Sequence, residues 1–290
     1  MIARLVEWAN QRDSVRAMLL TSTRAIPDAK VDLLSDYDVI LVVDDIAPFA
    51  LNRSWIGDFG EVLVAYWDPI AFNPEYGFET LSNVVQYEAV LKIDFSLWSE
   101  PMLKYIVTLA TLPVELDAGY RVLVDKDDIA AQLSAPTFRG YRIEPPDEET
   151  YLTLINDYFV GVPYVAKSLL RDELLPAKWV LDYDMRDVYM RPMLEWRAQI
   201  DHNWSISLGN LGKGLRRNLP PDIWLALEET YTGASLVENW ESLFRQVALF
   251  GRIAREVGAN LGYVYPEALE LRVVANARVL NLLSPEDIKS

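Results

Sequence analysis

Apolar and polar positions follow two different rhythms along this chain. In the first half, short apolar runs with a two-residue alternation mark strands, broken by polar turns. Residues 1–10 read as an amphipathic helix. The run Ser14-Val15-Arg16-Ala17-Met18-Leu19-Leu20 reads as a strand that ends at Thr21-Ser22-Thr23-Arg24. A loop containing Pro27 and several acids follows, and then a strand over Tyr37-Asp38-Val39-Ile40-Leu41-Val42-Val43. Further strands are predicted over Glu61–Tyr66, Val84–Val90, Lys92–Leu97 and Tyr120–Val124, with a helix over Glu100–Leu112 behind Pro101. Pro136, Pro145 and Pro146 then punctuate a linker-like stretch. From Asp147-Glu148-Glu149, acids that suit a helix start, the apolar spacing is helical almost to the end. Breaks are predicted near Pro176, Leu208-Gly209-Asn210, Pro220-Pro221, Thr232-Gly233 and Pro266. The pattern predicts an α+β domain over 1–135 with a mixed sheet, followed by an all-helical domain over 136–290.

Composition narrows what such a chain does. Its 290 residues, 51% of them hydrophobic, suffice for two cores. The formal net charge is -16, and both halves are acidic. That field repels nucleic acid, whose recognition rests on basic patches, and attracts cationic small molecules. With no cysteine there is no disulfide, thiolate zinc site or cysteine nucleophile. The one histidine, His202, reads as a surface or helix-end residue and builds no multi-histidine metal site. The first residues lack a secretory apolar core, and no apolar run approaches the roughly 20 residues of a membrane span. A soluble, cytoplasmic protein without membrane contact is expected.

The chemistry concentrates at Ser35-Asp36-Tyr37-Asp38. Side chains alternate faces along a strand, so Asp36 and Asp38 project to one side and Tyr37 to the other. Adjacent carboxylates repel unless a cation or a proton lies between them. Asp94 stands in the second apolar run, Lys92-Ile93-Asp94-Phe95-Ser96-Leu97. If the two strands are neighbours in one sheet, three carboxylates converge where a divalent metal could sit. That is equipment for moving a phosphoryl or nucleotidyl group.

Strand, hydroxyl-rich turn, loop, Asp-x-Asp strand and later single-Asp strand together resemble the polymerase-β-like nucleotidyltransferase core. The likeness extends from about residue 10 to residue 270. Arg24, eleven intervening residues and Asp36-Tyr37-Asp38 are similar to the streptomycin (aminoglycoside 6-) adenylyltransferase family. So are Lys92–Leu97, Val122-Leu123-Val124-Asp125-Lys126-Asp127, the helix Tyr164–Glu173, Ser205–Lys213 and Trp240-Glu241-Ser242-Leu243-Phe244. Two positions depart from that family's pattern: Ser22-Thr23 replaces Gly-Ser before the arginine, and Gly209-Asn210-Leu211-Gly212-Lys213 lacks the first lysine of its G-K-x-x-K loop.

The resemblance implies transfer of AMP from ATP, the co-substrate, to an acceptor hydroxyl with release of pyrophosphate. Asp36, Asp38 and Asp94 would hold two Mg²⁺ ions, or Asp94 would instead take the acceptor's proton. Ser22, Thr23 and Arg24 would receive the triphosphate, with Lys167, Arg171 and Lys213 reaching it from the helical domain. Lys167 and Arg171 lie four apart on one helix face. The implied acceptor is streptomycin, at its 6-hydroxyl. Carboxylates bind guanidinium groups in bidentate fashion, and aromatic rings stack on them. Asp182, Asp184, Glu195, Trp179 and Tyr183 are therefore candidates for the acceptor site. A different acceptor (a lincosamide, another small molecule or a protein hydroxyl) and a non-catalytic nucleotide-binding module are the alternatives.

Overall fold

The apolar runs of the first half assemble into one seven-stranded mixed sheet. In the computed structural model, which describes residues 1–27 and 29–288, the chain divides into two compact units, Met1–Tyr141 and Arg142–Ser290. The strands are β1 (Val15–Thr21), β2 (Tyr37–Val43), β3 (Val62–Trp67), β4 (Ala71–Asn73), β5 (Phe78–Tyr87), β6 (Lys92–Ser99) and β7 (Tyr120–Asp125). Their order is β3-β5-β6-β2-β1-β7, with β4 paired to β5. Only β2 and β6 run parallel; the other pairs are antiparallel.

Alternation along β2 gives each sheet face its own core. Val39, Leu41 and Val43 join a cluster with Trp8, Trp55, Phe59 and Phe95 under helix α1 (Ile2–Asn10). The Phe95 ring lies 4.9 Å from that of Trp55 and 5.4 Å from that of Phe59. Burying such a ring contributes roughly 1.5–3 kcal/mol. Helix α2 (Ala47–Leu51) brings Phe49 to the same side. Ile40 and Val42 face the other way, onto Trp98, Met102 and Leu103. Helices α3 (Glu100–Ile106) and α4 (Val114–Asp117) cover that second face.

Several boundaries differ from the pattern's expectation. Strand β5 ends at Tyr87, and Ala89 and Val90 form the turn into β6 with φ of 57° and 65°. Helix α3 stops at Ile106 rather than Leu112. The Thr108 hydroxyl donates to the Tyr105 carbonyl at 2.7 Å, and the next amides bond three residues back. The first unit extends past residue 135 because Thr137 and Phe138 bond back to Asp117.

The second unit is helical: α5 (Glu148–Leu170), α6 (Leu174–Lys178), a π-helical stretch (Trp179–Met190), α7 (Arg191–Ile200), α8 (Leu215–Asn218), α9 (Pro221–Glu228), α10 (Leu236–Leu261) and α11 (Glu267–Leu282). Asp147 caps α5 by accepting from the Thr150 amide at 2.8 Å, and Glu148 and Glu149 complement the dipole. Pro176 lies in the first turn of α6, where a missing N–H costs nothing, so the helical run passes through it from 174 to 200. The long helices α5 and α10 pack through Tyr158, whose ring stacks on Phe250 with centroids 3.6 Å apart. Among the described residues no helix is long and apolar enough to cross a membrane.

At Gly258 on α10 a residue of α5, Tyr151, approaches closely. A Cβ there would stand 2.5 Å from the Tyr151 hydroxyl and 3.1 Å from the Tyr263 carbonyl oxygen. That hydroxyl donates to the Ala254 carbonyl at 2.9 Å. Gly258→Ala should therefore destabilise the protein by about 1–3 kcal/mol despite alanine's better helix propensity. Denaturant unfolding checks this, and a variant as stable as the parent would refute the close approach.

Candidate active site

Two neighbouring parallel strands build the site. The β2–β6 register sets Asp38 opposite Asp94, and Tyr37 opposite Ile93. Asp36 stands one residue before β2, on the face of Asp38, and Lys92 stands on the face of Asp94. Three carboxylates and one ammonium thus share one end of the sheet. Lys92 Nζ donates to Asp36 Oδ2 at 2.7 Å and to Asp94 Oδ2 at 2.9 Å. The other Asp94 oxygen, Oδ1, is buried and has no protein hydrogen-bond partner.

The electrostatics follow from this crowding. Burial pushes the Asp38 carboxyl above its ordinary pKa, and the charges of Asp94 and Asp36 add to the shift. A hydrogen bond from the Ser22 hydroxyl and the charge of Lys92 oppose it. Burial alone would lower the Lys92 ammonium, but its bonds to Asp36 and Asp94 outweigh this and raise it. Among the described residues no three acidic or imidazole groups stand ready as a metal cage. An ammonium, not an open gap, lies between Asp36 and Asp94.

The turn after β1 completes this end of the sheet. Thr21 pairs with Asp38, and Ser22–Arg24 form one 3₁₀ turn. Ser22 has φ 58°, a left-handed conformation that a serine adopts at a cost. Arg24 takes a structural role that the sequence reading did not give it. Its Nε donates to the Asp36 carbonyl at 2.9 Å and its Nη2 to the Ser35 carbonyl at 2.7 Å. The guanidinium lies over the Tyr37 ring, 3.8 Å from its centroid. Tyr37 belongs to the face opposite the carboxylates, so Arg24 anchors the loop before β2.

The acceptor-site candidates of the helical unit sit on one continuous helical run, 174–200. Through residues 179–190 the run winds as a π-helix, wider than an α-helix. Asp182, Arg186, Asp187 and Arg191 consequently share a face and line a cavity of about 300 Å³ with Trp224 and Tyr231. Asp182 is paired with Lys178 at 2.7 Å and with Arg186 at 2.5 Å. Glu195 is buried and paired with Arg191 at 3.0 Å. These two candidate carboxylates are thus paired within the helical run itself. Asp184 has no ion-pair partner among the described residues. Trp179 and Tyr183 form an exposed tilted pair with ring centroids 5.0 Å apart. Lys167 on α5, Arg171 at its C-terminus and Lys213 after Gly212 are exposed.

Comparison with known proteins decides the family. The model of the streptomycin adenylyltransferase family matches residues 1–278. The chain belongs to that family. An aminoglycoside 6-adenylyltransferase of Bacillus subtilis (strain 168) is 28% identical over 264 residues, spanning 90% of each chain. A protein of the same name from Campylobacter jejuni is 27% identical over 272 residues, spanning 90% of this chain and 88% of its own. A crystal structure of an aminoglycoside 6-adenyltransferase from Bacillus subtilis aligns over 98% of both chains, with 24% identity and a TM-score of 0.48. As a member of the streptomycin adenylyltransferase family, this chain is an enzyme of the nucleotidyltransferase class.

Lys92 is the site residue that the sequence reading passed over, although it lies within a family-like motif. Its signal was the two-residue spacing to Asp94, which puts both side chains on one face. Ser22 is the other informative position, because the family pattern places glycine where this chain holds a left-handed serine. Ser22→Gly should change stability by less than about 1 kcal/mol, since relief of strain and loss of chain entropy offset each other. Ser22→Val should cost about 1–2 kcal/mol. Denaturation midpoints check both, and an unchanged Ser22→Val variant would contradict the conformation.

Glu195 yields a pH prediction. Burial raises its pKa, the ion pair with Arg191 offsets this only in part, and the charge of Asp187 adds to the rise. A carboxyl raised above its unfolded value weakens folding at pH above both values, and the cost fades as pH falls through the folded pKa. Glu195→Gln should therefore unfold no earlier than the parent at neutral pH, with its advantage shrinking on acidification. Thermal melts across pH read this directly, and a variant destabilised at neutral pH would reverse the sign.

Proposed function

We propose that the protein transfers AMP from Mg-ATP to the 6-hydroxyl of streptomycin, releasing pyrophosphate. Family membership and the names of its relatives support aminoglycoside adenylyl transfer in general. The observation that carries the chemistry is the in-register pairing of Asp38 with Asp94, beside Asp36, on parallel strands.

The donors are of the kind that divalent metal takes, although the Lys92 ammonium stands between two of them. Three carboxylates share one face, one buried Asp94 oxygen lacks a partner, and burial, with the charges of Asp94 and Asp36, raises the Asp38 pKa. Asp36, Asp38 and Asp94 are the residues that would hold Mg²⁺, which prefers such oxygens. Bound there, Mg²⁺ would stabilise charge on the phosphate oxygens during the displacement. Ser22 and Thr23 offer hydroxyls and backbone amides to the triphosphate at the end of β1. Asp94 would either complete the metal's ligands or take the proton of the acceptor hydroxyl. The acceptor oxygen bonds the α-phosphorus as the bond to pyrophosphate breaks. Lys167, Arg171 and Lys213 are exposed cations of the helical unit, of the charge that phosphates take.

The acceptor reading rests on chemistry complementary to a polycation. Asp184 has no ion-pair partner among the described residues, and Trp179 with Tyr183 offers exposed ring faces to guanidinium or sugar. Asp182 and Glu195 serve by holding the arginines that shape this part of the helical unit.

Pyrophosphate release from Mg-ATP should require streptomycin and should fall about 100-fold or more in Asp94→Asn. Silence with streptomycin, but release with another aminoglycoside, would change the acceptor and keep the chemistry. Silence across aminoglycosides and lincosamides would remove the acceptor class.

A further inference from the structure

The carboxylate cluster carries its own cation. Three acids and a single base share this end of the sheet, and the base is Lys92. Its side chain is only 24% exposed and reaches Asp36 at 2.7 Å and Asp94 at 2.9 Å. It makes no other ion pair among the described residues. It donates to Oδ2 of each partner and leaves Asp94 Oδ1 without a partner. Asp38 receives no hydrogen bond from Lys92. The cluster is therefore only partly neutralised, and the ammonium holds a position that a cation bridging Asp36 and Asp94 would take. An ammonium and a divalent ion cannot share that position, because like charges at contact distance in a half-buried site repel strongly.

We propose that Lys92 is a resident counter-cation. Its ammonium holds Asp36 and Asp94 together while the site is free of metal. It is displaced from at least one of them when a divalent ion arrives. The inference rests on the reading that Asp36, Asp38 and Asp94 bind metal. Lys92 is a positioning residue: it sets how tightly the carboxylates take metal. The metal-free site is spared the mutual repulsion of three bare acids, and metal affinity falls as the result. Stable occupancy then depends on extra ligands, which the phosphates of a nucleotide supply.

The test is Mn²⁺ binding to the full-length protein, with free Mn²⁺ followed by electron paramagnetic resonance and no nucleotide added. It runs on the wild type, Lys92→Met, Lys92→Gln, Lys92→Arg and Asp38→Asn, beside metal-free thermal melts. Lys92→Met should bind Mn²⁺ about tenfold more tightly than wild type. It should melt earlier without metal and recover when Mn²⁺ is added. Lys92→Arg should keep the weaker, wild-type affinity, and Asp38→Asn should lose binding. Lys92→Gln gives the same reading where the methionine variant does not fold. Wild-type binding that is unchanged or weakened in both neutral variants would overturn the proposal and leave the metal reading standing. No binding by the wild type or either neutral variant would overturn the metal reading and this proposal together.

Discussion

The pairing of β2 with β6 is the constraint from which this site derives. The pair runs parallel in an otherwise antiparallel sheet, and its register places Asp38 against Asp94. A slip of one residue would turn Asp94 and Lys92 to the opposite face, into the aromatic cluster around Trp55 and Phe59. The same slip would turn Phe95 out of that cluster. Packing of the apolar residues on one face therefore fixes the chemistry on the other. The cost of burying acids together shows in Asp38, which burial and the neighbouring carboxylates push toward protonation. The Ser22 hydroxyl and the Lys92 ammonium offset that cost in part.

Much of this was legible in the alternation of the chain. Strand β2 and its two same-face acids follow directly from a two-residue period. The cap of α5 follows from Asp147 with two acids behind it. The β5–β6 turn was hidden because Ala89 and Val90 occupy left-handed positions that usually hold Asn or Gly. The break expected near Pro176 falls at 171–173, between α5 and α6, and Pro176 itself sits harmlessly in the first turn of α6. The neighbourhood of β2 and β6 was not readable at all. It depends on three intervening strands folding back on the sheet's far side, which no local pattern states.

The helical unit shows where residue-type reasoning reached its limit. A carboxylate looks available from sequence until its neighbours are known. Asp182 and Glu195 each turn out to face an arginine four residues away along the chain. The π-helical winding also moves side chains to faces that a 3.6-residue period misassigns. Asp182 and Asp187 share one cavity wall for that reason.

The ion pair between Lys92 and Asp36 joins residues 56 positions apart. Loop closure over that span must precede any contact among the site's charged groups. A partly made chain that ends before β6 therefore presents Asp36 and Asp38 with neither their third acid nor their counter-charge. The pairing of β6 with β2 supplies both at once, so the acids that gather for chemistry and the charge that offsets them arrive in one piece of chain.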